Sequence, residues 1–180
     1  TGRSRQRVII DDTERKYYIR EAKKLIQETG RKISLTQAEL FDFIVKKKQA
    51  CHNATEISIN SAEPSQREFE RVYGVYQDFL DMQRRWDYED LIDEVVGLFE
   101  KDSSIRREFQ QRYPYVFVDE YQDLNHGQYR LLKALMPPGT KNRNICVIGD
   151  PDQLIYGFRG SDVKYFNNFI KDYPDAEVFR

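Results

Sequence analysis

The chain has 180 residues, 39% of them hydrophobic and 13% aromatic, with 33% charged and a net charge of −1. That is enough apolar material for one ordinary domain or two small ones, and too little net charge for bulk electrostatics to announce a polyanionic partner. No apolar run approaches the ~20 residues that span a bilayer, and the two cysteines, Cys51 and Cys146, are far apart while His52 and His126 offer no zinc spacing, so a membrane-free, reduced, cytoplasmic setting with free thiols is expected.

Charge is nevertheless unevenly spread. Residues 1–50 carry 13 Lys/Arg against 7 Asp/Glu, and residues 51–100 carry 4 against 12. Two readings stay open: solvated helix faces of opposite sign, or a basic first segment that faces a polyanion.

The first hundred residues read as helical. Residues 13–29 place Tyr18, Ala22, Leu25 and Ile26 on one stripe, with Gly30 placed to end the helix. Thr36-x-x-Glu39 is a capping-box pattern ahead of Leu40, Phe41, Ile44 and Val45, and Lys46, Lys47 and Lys48 suit the negative end of that helix. Residues 51–63 form a polar connector, and Pro64 opens a helix over about 64–85 with Phe69, Val72, Tyr73, Tyr76 and Leu80 at helical spacing. A separate helix is expected from near Trp86-Asp87, carrying Tyr88, Leu91, Ile92, Val95 and Phe99, and a shorter one over 103–112 ends at Tyr113-Pro114.

From there the pattern alternates. Tyr115–Val118 and Ile145–Ile148 read as strands, separated by a helix that Asn125-x-x-Gln128 caps and Pro137-Pro138-Gly139 ends; residues 162–171 read as a helix, and Glu177–Arg180 as the start of a third strand. Unbroken apolar strands of this kind belong to parallel sheets buried on both faces, with ligands beyond their carboxyl ends. The two strands should be neighbours, because the crossover between them is short. The expected fold is α/β but mostly α: a helical domain over 1–85, then an incomplete parallel sheet unit over 86–180.

Both strands end in acid and amide. After Val118 come Asp119, Glu120, Tyr121, Gln122 and Asp123; after Ile148 come Gly149, Asp150, Pro151, Asp152 and Gln153. One carboxylate is often enough to hold a magnesium ion that keeps most of its waters, and a neighbouring carboxylate can activate a water. Asp119 and Glu120 offer that division of labour, and the neutral amide of Gln153 can sense a terminal phosphate without competing for the metal. Three residues on, Tyr156-Gly157-Phe158-Arg159-Gly160 combines aromatic faces with a guanidinium, which suits stacked bases and backbone phosphate. Read alone, the same residues fit a buried core and a surface cation. No Gly-x-x-x-x-Gly-Lys-Ser/Thr phosphate loop occurs in the 180 residues.

These blocks resemble the UvrD/Rep/PcrA family of superfamily 1 DNA helicases. Val118–Asp123 looks like the family's Walker B motif (II), Gly149–Gly160 like motif III, Trp86–Ile92 like its DFxDLL helix, Tyr73-x-x-Tyr76-Gln77 like the helix before it, and Ile9–Asp12 like the entry to domain 1B. The resemblance runs nearly end to end and implies a RecA-like P-loop NTPase sheet. It implies Asp119 as a magnesium ligand, Glu120 as the catalytic base and Gln153 as the γ-phosphate contact. Tyr156, Phe158 and Arg159 become the single-strand contacts, Phe158 standing where tryptophan is frequent.

The implied cofactors are ATP and Mg2+, and the implied partners are single-stranded and duplex DNA and the remaining motor segments of the same polypeptide. The implied activity is 3′–5′ translocation and unwinding in DNA repair or recombination. On this resemblance the chain is expected to be domain 1B plus the second part of domain 1A, without activity by itself because Walker A and motifs IV–VI are absent, and to self-associate through an exposed sheet edge. A non-catalytic DNA- or protein-binding module and a subunit of a helicase–nuclease stay open as alternatives.

Overall fold

A computed structural model describes residues 7–50, 64–139, 144–153 and 163–179. The connector over 51–63 and the aromatic cluster with Tyr156, Phe158 and Arg159 lie outside the described residues. The described chain is mostly helical with two small parallel sheets, and it divides into two units, Thr1–Leu91 and Ile92–Arg180.

In the first unit, α1 (Asp12–Glu28) starts at a reciprocal capping box absent from the sequence reading: Asp11 Oδ1 accepts from the Glu14 N–H at 2.8 Å, and Glu14 Oε2 accepts from the Asp11 N–H at 3.4 Å. It ends at Gly30, whose φ of 82° is a left-handed conformation natural to glycine. The Thr36–Glu39 box opens α2 (Gln37–Gln49) as its spacing predicts. Pro64 begins α3 (Pro64–Gln83), and Arg84 at φ 55° turns the chain out of it. The core joins Tyr18, Ile19, Ala22 and Ile26 of α1 to Leu40 and Ile44 of α2 and Val72, Tyr73, Tyr76 and Leu80 of α3. Leu25, expected on the α1 stripe, is exposed, whereas Ile19, six residues earlier, is buried with Tyr18, Ala22 and Ile26.

The separate helix expected from near Trp86-Asp87 starts at Tyr88, directly after Asp87 and two residues after Trp86, as α4 (Tyr88–Lys101). Trp86 itself forms β2 (Arg85–Trp86) with Arg85, paired in parallel with β1 (Val8–Ile9). The start of α4 is fixed by an exchange of bonds: Asp90 N–H donates to Asp87 Oδ1 at 3.0 Å, and Asp87 N–H donates to Asp90 Oδ2 at 3.1 Å.

The same two carboxylates are buried against a lysine. Lys48 is 2% exposed and Asp87 0%. Its ammonium donates to Asp87 Oδ2 and Asp90 Oδ1, each at 2.7 Å, and the Tyr76 hydroxyl donates to Asp87 Oδ2 at 2.8 Å. Arg15 pairs with Glu89 and stands 3.9 Å from Asp87 Oδ2. Burial alone would raise Asp87, but Lys48 and Arg15 outweigh it and hold this carboxyl below its ordinary range. Burial, with the charge of Asp87 beside it, pushes Asp90 up to about 6 despite Lys48. Lys48 lies in the last turn of α2 as its sequence position suggests, yet it is a core residue.

The second unit holds α5 (Ser103–Arg112), β3 (Tyr115–Val118), α6 (His126–Leu135), β4 (Asn144–Val147) and α7 (Val163–Asp172). Asp102 caps α5, and the Asn125–Gln128 capping box opens α6. β3 and β4 are adjacent and parallel, Tyr115 opposite Asn144 through Val118 opposite Val147, so the expected neighbours are neighbours, β4 starting one residue earlier than its apolar run. Val116, Val118, Ile145 and Val147 pack with Tyr121, Leu132, Phe166 and Phe169.

The opposite face is bare. Tyr115, Phe117 and Ile148 are 63%, 74% and 58% exposed, so strands whose sequence predicts burial on both faces are covered on one. Residues 177–179 form no strand; Val178 and Phe179 are exposed, with no neighbouring strand to supply hydrogen bonds among the described residues.

Candidate nucleotide site at the strand ends

The ladder between β3 and β4 continues past its last paired residues. The Ile148 N–H donates to the Val118 carbonyl at 2.8 Å, and the Tyr121 N–H donates to the Ile148 carbonyl at 2.9 Å. These bonds hold the two acidic strand ends side by side. Tyr121 anchors the turn from below: it is 1% exposed, its ring meets Phe169 edge-on at 5.4 Å, and burial raises its hydroxyl above the ordinary tyrosine value.

Between strand and turn, Asp119 Oδ1 accepts the N–H of Glu120 at 2.9 Å. Glu120 sits at φ 51°, ψ 44°, a left-handed conformation that is uncommon for a residue with a side chain and costs on the order of 1 kcal/mol or more. A one-turn 3-10 helix, Tyr121–Asp123, follows. On the other strand, Asp150 organises its own turn: Oδ1 accepts the Asp152 N–H at 2.9 Å, and Oδ2 accepts from Gln153 Nε2 at 2.8 Å.

Gln122 joins the two ends. It is 2% exposed; its Nε2 donates to Glu120 Oε2 at 2.6 Å, and its Oε1 accepts the Asp150 N–H at 3.0 Å. The structure therefore brings Glu120 and Gln153 into one hydrogen-bonded chain through Gln122 and Asp150. The motif alone assigns Gln122 no role, although an amide two residues after the acidic pair is a visible signal. Tyr156, Phe158 and Arg159 fall in the segment that is not described.

The donor set is one of hard oxygens. Asp119 is exposed, and its Oδ2 has no hydrogen bond among the described residues. Among those residues no group of three or more His, Cys, Asp or Glu could by itself hold a metal ion. Carboxylate oxygens suit magnesium, which keeps several waters and uses one or two carboxylates together with substrate phosphates. Asp119, Glu120, Asp123, Asp150 and Asp152 share residues 118–125 and 148–153 with no Lys or Arg, so the strand ends alone repel a polyphosphate unless cations offset them.

The chain thus carries two adjacent parallel-strand ends that share one acid and amide set. Its sequence matches the UvrD/REP helicase N-terminal domain over residues 2–174, and the chain belongs to that family. It is 43% identical over 107 residues to the ATP-dependent DNA helicase PcrA of Staphylococcus aureus strain Mu50, a match covering 59% of this chain and 14% of that protein. It is 42% identical over 112 residues to the ATP-dependent DNA helicase UvrD1 of Mycobacterium leprae, covering 58% and 14%. The PcrA of Staphylococcus epidermidis is 42% identical over 107 residues, covering 59% and 14%. The matched stretch is thus about one seventh of each relative. No helix among the described residues is long and apolar enough to cross a membrane.

Proposed function

We propose that this chain is the metal, base and phosphate-sensing part of an ATP-dependent 3′–5′ DNA helicase acting in DNA repair or recombination in the cytoplasm. Residues 1–85 correspond to domain 1B, and residues 86–180 to part of a RecA-like domain 1A. Single-stranded and duplex DNA are the partners, together with the motor segments that supply a phosphate loop. The observation that carries the reading is the hydrogen-bonded chain from Glu120 through Gln122 and Asp150 to Gln153.

In this reading Asp119 holds Mg2+, which when bound offsets charge on the β- and γ-phosphates. Glu120 accepts the proton of the attacking water, and Gln153 contacts the γ-phosphate through its amide. Tyr156 and Phe158 stack on bases of the tracked strand, and Arg159 meets its backbone. The binding-module alternative rests on the basic first segment. It is weakened because Lys48 is buried and paired, which leaves Lys46 and Lys47 of that run to face a polyanion.

In the full-length protein, Glu120→Gln is expected to lower DNA-stimulated ATP hydrolysis by ~10²–10⁴-fold, the usual worth of a general base, with nucleotide binding retained. Steady-state turnover beside a fluorescent-nucleotide titration measures both. Turnover within threefold of wild type would refute the assignment.

The bare sheet face and open strand edges support self-association of the 180-residue polypeptide. Light scattering should show apparent mass rising with concentration, and Phe117→Lys, on the bare face, should reduce the rise. A constant monomer mass up to millimolar concentration would rule it out.

A further inference from the structure

Gln122 is buried beyond the reach of solvent, yet both ends of its amide are spoken for by groups on different strands. Its Nε2 meets the Glu120 carboxylate at 2.6 Å, and its Oε1 meets the Asp150 N–H at 3.0 Å. The pocket that holds it is formed by a glycine. A Cβ added at Gly149 would overlap Gln122 Oε1 and would lie 3.1 Å from both the Phe166 ring and the Tyr121 nitrogen. Gly149 has no positive φ, so its backbone does not require glycine; the close approach of the Gln122 amide does. Glu120 is held in a left-handed conformation, and the Gln122 amide is the one side-chain hydrogen-bond partner of its carboxylate among the described residues.

We infer that Gln122 is a positioning residue: its amide fixes the Glu120 carboxylate and ties it to the Asp150 turn that carries Gln153, so that the base and the phosphate sensor move as one unit. This rests on the helicase reading above, in which Glu120 is the base. An amide is the side chain that can do it, since it donates at one end and accepts at the other. A carboxylate in its place would still accept from Asp150 but would offer Glu120 no proton. A base displaced by about 1 Å commonly loses on the order of 10²-fold in rate with little change in binding.

The test uses the full-length protein with ATP and single-stranded DNA. Gln122→Glu, Gln122→Met and Gly149→Ala are each expected to lower kcat by ~10–100-fold while KM for ATP stays within about threefold and the thermal melt keeps its cooperativity. Gly149→Ala keeps Gln122 and Glu120 chemically intact and acts by displacing the Gln122 amide, the nearest atom to the added Cβ. The double variant Glu120→Gln/Gln122→Met should turn over no more slowly than Glu120→Gln alone, because both changes remove one function.

Wild-type kcat in Gln122→Glu would reduce the residue to a structural tie to Asp150 and overturn the inference. So would an effect on KM alone, or loss of the cooperative melt in all three variants. Wild-type turnover in Glu120→Gln is a different result: it removes Glu120 as the base and with it the helicase reading of the site.

Discussion

Replacing Lys48 with methionine is expected to destabilise the first unit by about 3–5 kcal/mol, the cost of leaving a buried charge without its partner. Methionine matches the length of the lysine stem but leaves Asp87 and Asp90 facing each other with no ammonium between them. Arg15, 3.9 Å from Asp87, is already paired with Glu89. Two carboxylates this close do not both stay ionised without a counter-charge. At roughly 4 °C per kcal/mol or more for a unit of this size, the melting temperature should fall by about 12 °C or more.

The single tryptophan, Trp86, lies in β2 next to Asp87, so its fluorescence follows the unit in a denaturant titration. The triple variant Lys48→Met/Asp87→Asn/Asp90→Asn should recover much of the loss, because neutral side chains need no counter-charge and asparagine still caps a helix. A loss below 1 kcal/mol would mean that the cluster behaves as a surface ion pair.

The cluster also gives the unit a pH dependence whose sign follows from its two carboxyls. Asp90, raised to about 6, binds more protons folded than unfolded between about 4 and 6, so its contribution is full below the unfolded value and is lost as pH rises through 6. Asp87 is lowered; its contribution is present above the unfolded value and is lost as pH falls through the folded one. Together they favour the folded unit most near pH 4, with a decline toward 6 and a plateau above. Asp90→Asn should flatten that decline in unfolding curves taken across the range.

Local order was legible because it is local. The capping boxes at Thr36 and Asn125, the stop at Gly30 and the adjacent parallel strands follow from spacing over a few residues, and the structure has them. Three features were not legible, and each joins residues remote in the chain. Lys46, Lys47 and Lys48 look alike as letters, and only the packing of α2 against residues about 40 positions later distinguishes Lys48. Two-residue strands such as β1 and β2 have too few residues to show a period. Gln122 sat inside a motif whose neighbours had obvious chemistry, and its bond to Asp150, 28 residues away, exists only once the strands pair. The bare face is the converse case: Tyr115 and Phe117 are written as buried residues and are exposed, so the apolar run describes what the sheet is suited to pack against, beyond what these described residues supply.

The 180-residue polypeptide itself is expected to hydrolyse ATP at least ~10³-fold more slowly than a full-length protein containing it, the lower end of what a transition-state arginine contributes in this chemistry. The strand ends supply carboxylates and amides. Asp119, Glu120, Asp123, Asp150 and Asp152 gather there without a lysine or arginine between 118 and 125 or between 148 and 153. A triphosphate carries its own negative charge, and nothing in those two stretches offsets it. The usual cradle is a run of backbone N–H groups and a lysine in a glycine-rich loop, and no Gly-x-x-x-x-Gly-Lys-Ser/Thr pattern occurs in this sequence.

The hydrogen bonds of Glu120 to Gln122 and of Gln153 to Asp150 order these side chains, but they supply no positive charge to a triphosphate. Addition of millimolar Mg-ATP should therefore leave the melting temperature of the polypeptide unchanged within 1 °C, since a ligand stabilises only in proportion to its occupancy. Phosphate release should stay at background with or without single-stranded DNA. DNA-stimulated turnover by the 180 residues alone would mean that some other group in this chain cradles the phosphates, and would locate the nucleotide away from the two strand ends.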